Sequence, residues 1–482
     1  MSTSTTPQLA SMKKLPFKSM IGYGAGDFSN NLGFTTAGYF LMYYLTDSVG
    51  ISAAAAGTMF LVVRIWDAFA DLFAGGLVDR TQTRWGKFRP FFLFAGVPML
   101  LLSALQFNIP LNLAPDVKLI YAYVAYSLFG LMYSLVNIPY GSLASAMTQS
   151  VHERAKLVSA RSLGMGVGTV VITYVLSPFI DSLGAQAETM SAEAYRQALQ
   201  SVFTWSTLAF VVIGGLGYLL TFLFTRENVV RKTARLTVRQ QWDAVRGNKA
   251  LGMLMLTSLF YLVGMFATMG AMSYYTKTIM GGMKAMAEMT LVTTILQFVY
   301  TPFIPKMIAA FGKKSAYQYS GLLTIIGCAF LFFAPRPSYW IPFIGFQIVW
   351  AAQNVINTVM FGLEADTVEY GEYVSGHRSE GATYAAYSFL RKISSAVGGW
   401  LGGMVLAWGG YLSATADNPK PVQPASAVDA IVASQSLIPA VCAALAMIVF
   451  VKYPLSDTKF KEITAENEAR KAAEMATAPA EA

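Results

Sequence analysis

Apolar runs recur along the chain at near-regular intervals, separated by short polar stretches. A spanning helix needs about 20 predominantly apolar residues. Twelve candidate runs begin near positions 20, 53, 89, 118, 157, 202, 250, 285, 315, 339, 382 and 428. The pattern predicts an all-α membrane protein of twelve transmembrane helices. Residues 1–18 are polar, and the first run carries Asp27 and is too long for a signal-peptide core. That run is expected to stay in the mature protein.

An even number of spans puts both termini on one side. Lys13, Lys14, Lys18, Arg80, Arg84, Lys87, Arg89, Arg154, Lys156, a run from Arg226 to Lys249, Lys306, Lys313, Lys314 and Arg378 fall there. The opposite loops hold Lys118, Arg196, Lys277, Lys284, Arg336 and Lys420. Basic residues favour the cytoplasmic side, so cytoplasmic termini are expected. The same asymmetry accounts for the net charge of +9 without a nucleic-acid partner. Composition agrees: 55% of residues are hydrophobic and 13% charged, against about 25% charged in globular proteins. Cys328 and Cys442 sit in apolar runs and read as buried or lipid-facing thiols rather than a disulfide framework.

The basic segment between the sixth and seventh runs divides the chain. The expected organisation is an N-terminal segment 1–19, a six-helix bundle 20–225, a central loop 226–249, a second bundle 250–453 and a solvated tail 454–482. The halves echo each other. RTQTRWGKF joins runs two and three, and KMIAAFGKKSAY joins runs eight and nine, with Gly86 and Gly312 in matching places. Arg161 opens run five, and Arg391 and Lys392 lie in run eleven. Such duplication is found in transporters whose site lies between two bundles.

Run two contains the charges that composition should forbid: Arg64, Asp67 and Asp71. Spacings of three and four put them on one helix face. A charge at bilayer depth costs about 3 kcal/mol on insertion scales, so such groups face a cavity or a partner. Arg64 reads as an ion-pair partner pinning the helix, but one guanidinium does not neutralise two carboxylates. The remaining negative charge calls for a proton or a metal cation, which is the requirement of a cation-coupled carrier. Asp27 in GYGAGDFSNNLGF reads either as an interfacial acid or as a hydrogen-bond acceptor for a polar solute. Its neighbouring glycines permit close helix approach. Arg161, Arg391 and Lys392 either snorkel to an interface or face the interior. Gln353, Asn354 and Asn357 bond to neighbouring helices or to substrate. The alternating charges of EADTVEYGEYVSGHRSEG suit either a solvated loop or ion pairs that hold the bundle ends together in one state. His152 and His377 show no two-His metal spacing, and no P-loop is present. The energy source is then an ion gradient or the solute's own.

Four stretches together resemble the glycoside-pentoside-hexuronide:cation symporters of the major facilitator superfamily, of the melibiose permease type. They are GYGAGDF with FLMYYLTD; RIWDAFADLFAGGLVDRTQTRWGKFRP; NIPYGSL with ERAKLVSARS; and EADTVEYGEYVSGHRSEGATYAAYSFLRKISSAVGG. The resemblance implies the major facilitator fold of two pseudo-symmetric bundles, in a bacterial inner membrane, with monomer as the expected state. It implies cation binding at Asp67 and Asp71, with Asn137 beside them, and substrate contacts from Asp27, Arg161, Lys392, Asn137 and Tyr387. Gating or ion-pair roles are expected for Arg64, Asp79, Arg84, Asp366 and Arg378. This chain departs from the melibiose type at Ala70 in place of Asn, Asn137 in place of Asp, and Gly141 in place of Trp. The first removes an oxygen ligand and the second a charge, which favours a proton over sodium as the coupling ion, although Asn137 still offers a carbonyl oxygen. The third removes a platform for a sugar ring. The expected activity is secondary active transport of a glycoside, oligosaccharide or uronide, with a monovalent cation, no resident cofactor and no enzymatic step. The alternative is a lipid or amphiphile carrier of the same superfamily.

Overall fold

The computed structural model describes residues 14–148, 150–186, 189–227, 246–376, 380–415, 418 and 421–477. The described chain is helical. Helix α1 begins as Phe17–Thr36 and continues through wider turns at Ala37–Leu41 and Leu45–Val49. There follow α2 (Ala53–Arg80), α3 (Arg89–Gln106), α4 (Pro115–Met147), α5 (Val151–Gln186) and α6 (Ala192–Phe224). The second half holds α7 (Lys249–Ile279), α8 (Lys284–Phe311), α9 (Lys313–Phe333), α10 (Trp340–Ser375), α11 (Glu380–Trp408) and α12 (Ala425–Val451). A tail helix, α13 (Asp457–Thr477), closes the chain.

Eight of these, α3 to α9 and α12, are long and apolar enough to cross a membrane. The other four long helices, α1, α2, α10 and α11, are those that carry Asp27, the Arg64–Asp67–Asp71 face, Asp366, and Arg391 with Lys392. Several helices start earlier than their apolar runs: α5 begins at Val151 and α6 at Ala192. Hydrophobicity ends where the helix leaves oil, but the hydrogen-bond ladder continues into the polar interface until a cap stops it. Ser191 Oγ caps α6 by accepting from Ala194 N at 3.2 Å, and Asn248 Oδ1 caps α7 by accepting from Leu251 N at 2.9 Å. Arg378 and His377 lie outside the described residues.

Within the first half α1 packs on α5 and α6, and α2 on α4; within the second, α7 packs on α11 and α12, and α9 on α10. Contacts that cross between the halves include α2 against α11, α5 against α8, and α7 against the far end of α1. Glycine makes the α1–α5 approach possible. A Cβ on Gly164 would lie 2.0 Å from the Gly24 carbonyl oxygen, and one on Gly24 would lie 2.7 Å from that of Ala160.

The halves meet tightly on the side opposite the termini, called here the far side. Lys277 Nζ, at the end of α7, reaches both Asp47 Oδ1 and the Tyr43 hydroxyl at 2.9 Å. Asp47 Oδ2 also accepts from the Tyr411 hydroxyl at 2.8 Å. Thr46 Oγ1 and the Tyr274 hydroxyl lie 2.8 Å apart. Further round the seam, Asp181 of α5 accepts from the backbone N–H groups of Met283 at 2.8 Å and Lys284 at 2.6 Å, so it caps α8 from the other half. Thr173 and Thr290 are hydroxyl to hydroxyl at 2.7 Å. The apolar core follows the same asymmetry. One cluster runs from Tyr44 and Phe203 across the far side into Tyr275, Met286 and Leu406. A second, around Tyr261, Tyr317, Ile356 and Phe450, stays inside the second half.

Two predictions follow from this packing. Gly164→Leu should force α1 and α5 apart, lowering thermal stability by about 1–3 kcal/mol as overpacking does. Gly141→Ala, which meets open space, should leave the melting temperature of detergent-purified protein unchanged. The pair Thr173→Cys and Thr290→Cys should oxidise readily, because disulfide sulfurs sit about 2 Å apart. After tryptic cleavage in the basic segment between the halves, the two fragments should then migrate together on a non-reducing gel and separate on reduction.

Candidate functional site

The charged side chains buried in α1, α2, α5 and α11 share one depth. Asp27, Arg161, Asp71 and Lys392 each lie about ten residues from the terminus-side end of their helix, roughly 15 Å at 1.5 Å per residue. In the first half Asp27 Oδ1 and Arg161 Nε lie 3.2 Å apart, a pair made possible by the glycine contacts of α1 and α5. The guanidinium also rests over the Tyr140 ring, 5.4 Å from its centroid. Tyr140 itself stacks on Tyr23, centroids 4.6 Å apart, and donates its hydroxyl to the Tyr23 carbonyl at 2.7 Å. Arg161 is only half-buried.

On α2, Arg64 Nη1 donates to Asp67 Oδ2 at 2.9 Å and Nη2 to the Tyr126 hydroxyl at 3.1 Å. Its guanidinium lies over Phe34 at 5.5 Å, and Phe34 stacks on Tyr133 at 5.2 Å. Asp67 Oδ1 points at α4, where Gly130 leaves room; a Cβ there would lie 2.1 Å from it. That oxygen is buried and has no hydrogen-bond partner among the described residues. Asp71 pairs with Lys392 of α11, and the same ammonium donates to the Asp67 carbonyl at 2.9 Å. Lys392 therefore ties the two halves together at mid-depth. This corrects the charge count expected from α2 alone. Two carboxylates face two cations, one of which arrives from the other half, so no negative charge is left over.

The other expected residues divide. Asn137 is half-buried on α4, and among the described residues the hydrogen bonds of Asp67 and Asp71 go elsewhere. Tyr387 is 2% exposed and lies in the second-half core, its hydroxyl 3.0 Å from Ser258 Oγ. It is a packing and hydrogen-bonding residue of that core, not a wall of the chamber described below. Its place in a polar, aromatic stretch of sequence gave no sign of which way it faces. Asp79 pairs with Lys87 at 2.8 Å, Arg84 lies over Trp85 at 4.7 Å, and Asp366 pairs with Lys313 at 2.6 Å. Each of these contacts stays within one half. Two ion pairs that span the halves are Lys392–Asp71 and, on the far side, Lys277–Asp47.

A polar ladder leads inward from the Asp27–Arg161 pair. Asn31 Nδ2 donates to the Asp27 carbonyl at 2.9 Å, and Thr35 Oγ1 to Asn31 Oδ1 at 2.8 Å. One further turn of α1 brings Tyr39 to the wall of a cavity of about 190 Å³. Thr169 of α5, Thr290, Thr294 and Gln297 of α8, and Trp350, Gln353 and Asn357 of α10 complete it. Both halves contribute, so relative movement of the halves would remodel it. Hydroxyls and carboxamides offer both donors and acceptors to a polyol, and Trp350 supplies an aromatic face. Gln353 and Asn357 were candidates from sequence. Trp350 and the α8 threonines were missed, because a threonine in an apolar helix normally satisfies itself on the preceding turn, as Thr294 does on the Thr290 carbonyl at 2.8 Å. Gly141, which meets open space, leaves the α4 platform vacant while Trp350 provides one on α10. A larger recess of about 410 Å³ is walled by Phe361, Glu364, Tyr384 and Phe460, all of the second half.

Comparison with known proteins identifies the family. The family described as MFS/sugar transport protein matches residues 22–457. The chain is 37% identical to the glucuronide carrier protein homolog of Escherichia coli (strain K12) over 95% of its own length and 97% of the relative's. It is 30% identical to the isoprimeverose transporter of Lactiplantibacillus pentosus over 99% and 97% of the two chains. Among solved structures it is similar to a D-xylose-proton symporter, with a TM-score of 0.59 at 13% identity over 90% of this chain and 96% of that one. It is similar also to a bacterial homolog of the lysosomal transporter Spinster, solved in an inward-facing and unoccupied conformation, with a TM-score of 0.59 at 12% identity over 97% and 99%. With a helical fold shared with transporters and a sequence match over nearly its whole length, the chain is a multi-pass membrane protein of the MFS/sugar transport family, the glycoside-pentoside-hexuronide group of the major facilitator superfamily.

Proposed function

We propose that the protein is a sugar symporter that couples uptake of a glycoside, oligosaccharide or uronide to a cation, with a proton favoured over sodium. The observation that carries this reading is the position of Lys392. It belongs to one half, holds both Asp71 and the backbone of Asp67 in the other, and sits at the depth of the Asp27–Arg161 pair. The names of the relatives, a glucuronide carrier homolog and an isoprimeverose transporter, support a sugar as the solute. The mixed hydroxyl and carboxamide lining of the seam cavity favours a sugar over a lipid.

Charge balance explains the coupling. With Arg64 and Lys392 opposing Asp67 and Asp71, the cluster is neutral. A cation that loads at Asp71 or Asp67 makes Lys392 surplus there. The ammonium is released to bind substrate oxygens, and the tie between the halves is loosened at the same moment. Substrate that captures Lys392 leaves a carboxylate uncompensated and so raises its demand for a cation. The dependence is mutual, as linkage requires. A proton needs one carboxylate oxygen. Sodium needs several oxygen ligands, and Ala70 supplies none. In the proposed cycle the halves rock about this site, with the termini cytoplasmic as the Lys and Arg bias predicts. The described state is closed on the far side by the Asp47–Lys277 and Asp181 contacts.

The test uses proteoliposomes. Asp71→Asn should retain counterflow of a transported sugar within about tenfold while losing accumulation against a gradient, since binding and rocking survive when the coupling charge is removed. Wild-type uptake should alkalinise the external medium and be indifferent to sodium at fixed pH. Uphill accumulation by both Asp67→Asn and Asp71→Asn would remove the cation assignment. Sodium-dependent uptake without proton movement would overturn the choice of ion alone.

A further inference from the structure

A second cavity of about 160 Å³ adjoins the polar one and shares Tyr39, Trp350 and Gln353 with it. Its chemistry is different. Met265, Met269 and Met272 line it from α7, at spacings of four and three that set them on one helix face. Leu331, Phe346 and Val349 add apolar wall from α9 and α10. The methionines are adaptable surface. Met269 reaches into the space that Gly38 leaves open on α1, where a Cβ would lie 2.2 Å from its Cε, so α7 and α1 meet at this wall. Thioether side chains pack against aromatic rings and re-pack around differing shapes.

One polar group breaks the apolar lining. Gln435 of α12 is 1% exposed and lines the cavity. Its Nε2 is spent on the Thr268 carbonyl at 2.6 Å. Its Oε1 has no hydrogen-bond partner among the described residues. A buried carboxamide oxygen without a donor costs about 1–3 kcal/mol, so a structure holds one there only against some return. The volume sets the scale of the occupant: an apolar cavity of roughly 150 Å³ accommodates benzene.

We propose that this cavity is a subsite for the aglycone of the substrate. This rests on the sugar-transport reading. The sugar ring lies in the hydroxyl- and carboxamide-lined chamber, the glycosidic bond passes the shared Tyr39–Trp350–Gln353 edge, and an aromatic or small apolar aglycone enters among the methionines. Gln435 Oε1 lies behind this wall without a partner among the described residues, and a donor on that aglycone would reach it once the methionines re-pack around the occupant. The substrate class is therefore an aryl or similarly apolar glycoside, and a free monosaccharide uses only half the site.

The test is competition in counterflow with protein in lipid vesicles, comparing methyl, phenyl and 4-hydroxyphenyl β-D-glucuronides and the corresponding β-D-xylosides. The phenyl glycoside of the accepted sugar should compete about tenfold more strongly than the methyl glycoside, and the 4-hydroxyphenyl glycoside more strongly again. Thr268→Leu, which adds carbon to the cavity, should bring the phenyl-to-methyl ratio close to one while leaving methyl glycoside affinity within about threefold. Gln435→Met should erase the advantage of 4-hydroxyphenyl over phenyl and keep that of phenyl over methyl. Elution as a single symmetric species checks that each variant folds, and two variants in different helices keep the result readable if one does not. A wild-type phenyl-to-methyl ratio near one, a ratio that Thr268→Leu leaves unchanged, or a 4-hydroxyphenyl advantage that Gln435→Met leaves unchanged overturns the subsite while the sugar reading stands. Failure of every glycoside to compete, together with no counterflow of any sugar, overturns both.

Discussion

Neutrality at mid-depth is the constraint around which the molecule is arranged. Ions in a low-dielectric slab are stable only when matched at close range. Here the match for Asp71 comes from a helix in the other half of the chain. The Lys392–Asp71 contact is thus an ion pair and a joint at once. If it belonged to a single half, titrating it would alter a local charge and nothing more. Because it crosses the seam, a change in protonation or ion occupancy at α2 is also a change in how firmly the two halves are held.

The packing serves that joint. The Gly24–Gly164 approach brings α1 close enough to α5 for Asp27 to reach Arg161, and Gly130 clears a space on α4 into which Asp67 fits. Both are places where a side chain would have fixed a wider helix separation and dispersed the charges. Far from the termini the halves are fused by a continuous apolar core and by Asp47, Tyr43, Lys277 and Tyr411. Toward the termini the pairs Asp79–Lys87 and Asp366–Lys313 remain within their own halves. In the proposed cycle the far-side contacts are the ones that must part for that side to open.

Much of this was legible beforehand, and the reasons for the rest are physical. Asp67 and Asp71 stood out because the cost of charge in oil makes an acidic pair on one helix face conspicuous. The glycines beside Asp27 pointed to close helix contact for the same kind of reason. What could not be read was who answers whom. Lys392 was visible as a charge in an apolar run, but pairing between α2 and α11 depends on tertiary geometry that helical spacing does not encode. Lys277 read as a residue of an outer loop, since helix α7 extends past its apolar run and carries the lysine with it. Tyr387 was expected at the site from the family resemblance, yet its face of α11 turns inward to Ser258. Thr290, Thr294 and Trp350 carried no signal, as threonine and tryptophan are ordinary residues of membrane helices.

The cap that Asp181 places on α8 has a consequence for the medium around the protein. While the far side is shut, two backbone N–H groups at the start of α8 are satisfied by a carboxylate of the opposite half. Once the halves part, those donors and that acid must be solvated instead. The opened form consequently takes up more water than the shut one, and the balance between them becomes sensitive to osmotic stress. A solute excluded from the gap would then tilt the equilibrium toward closure without touching any binding site.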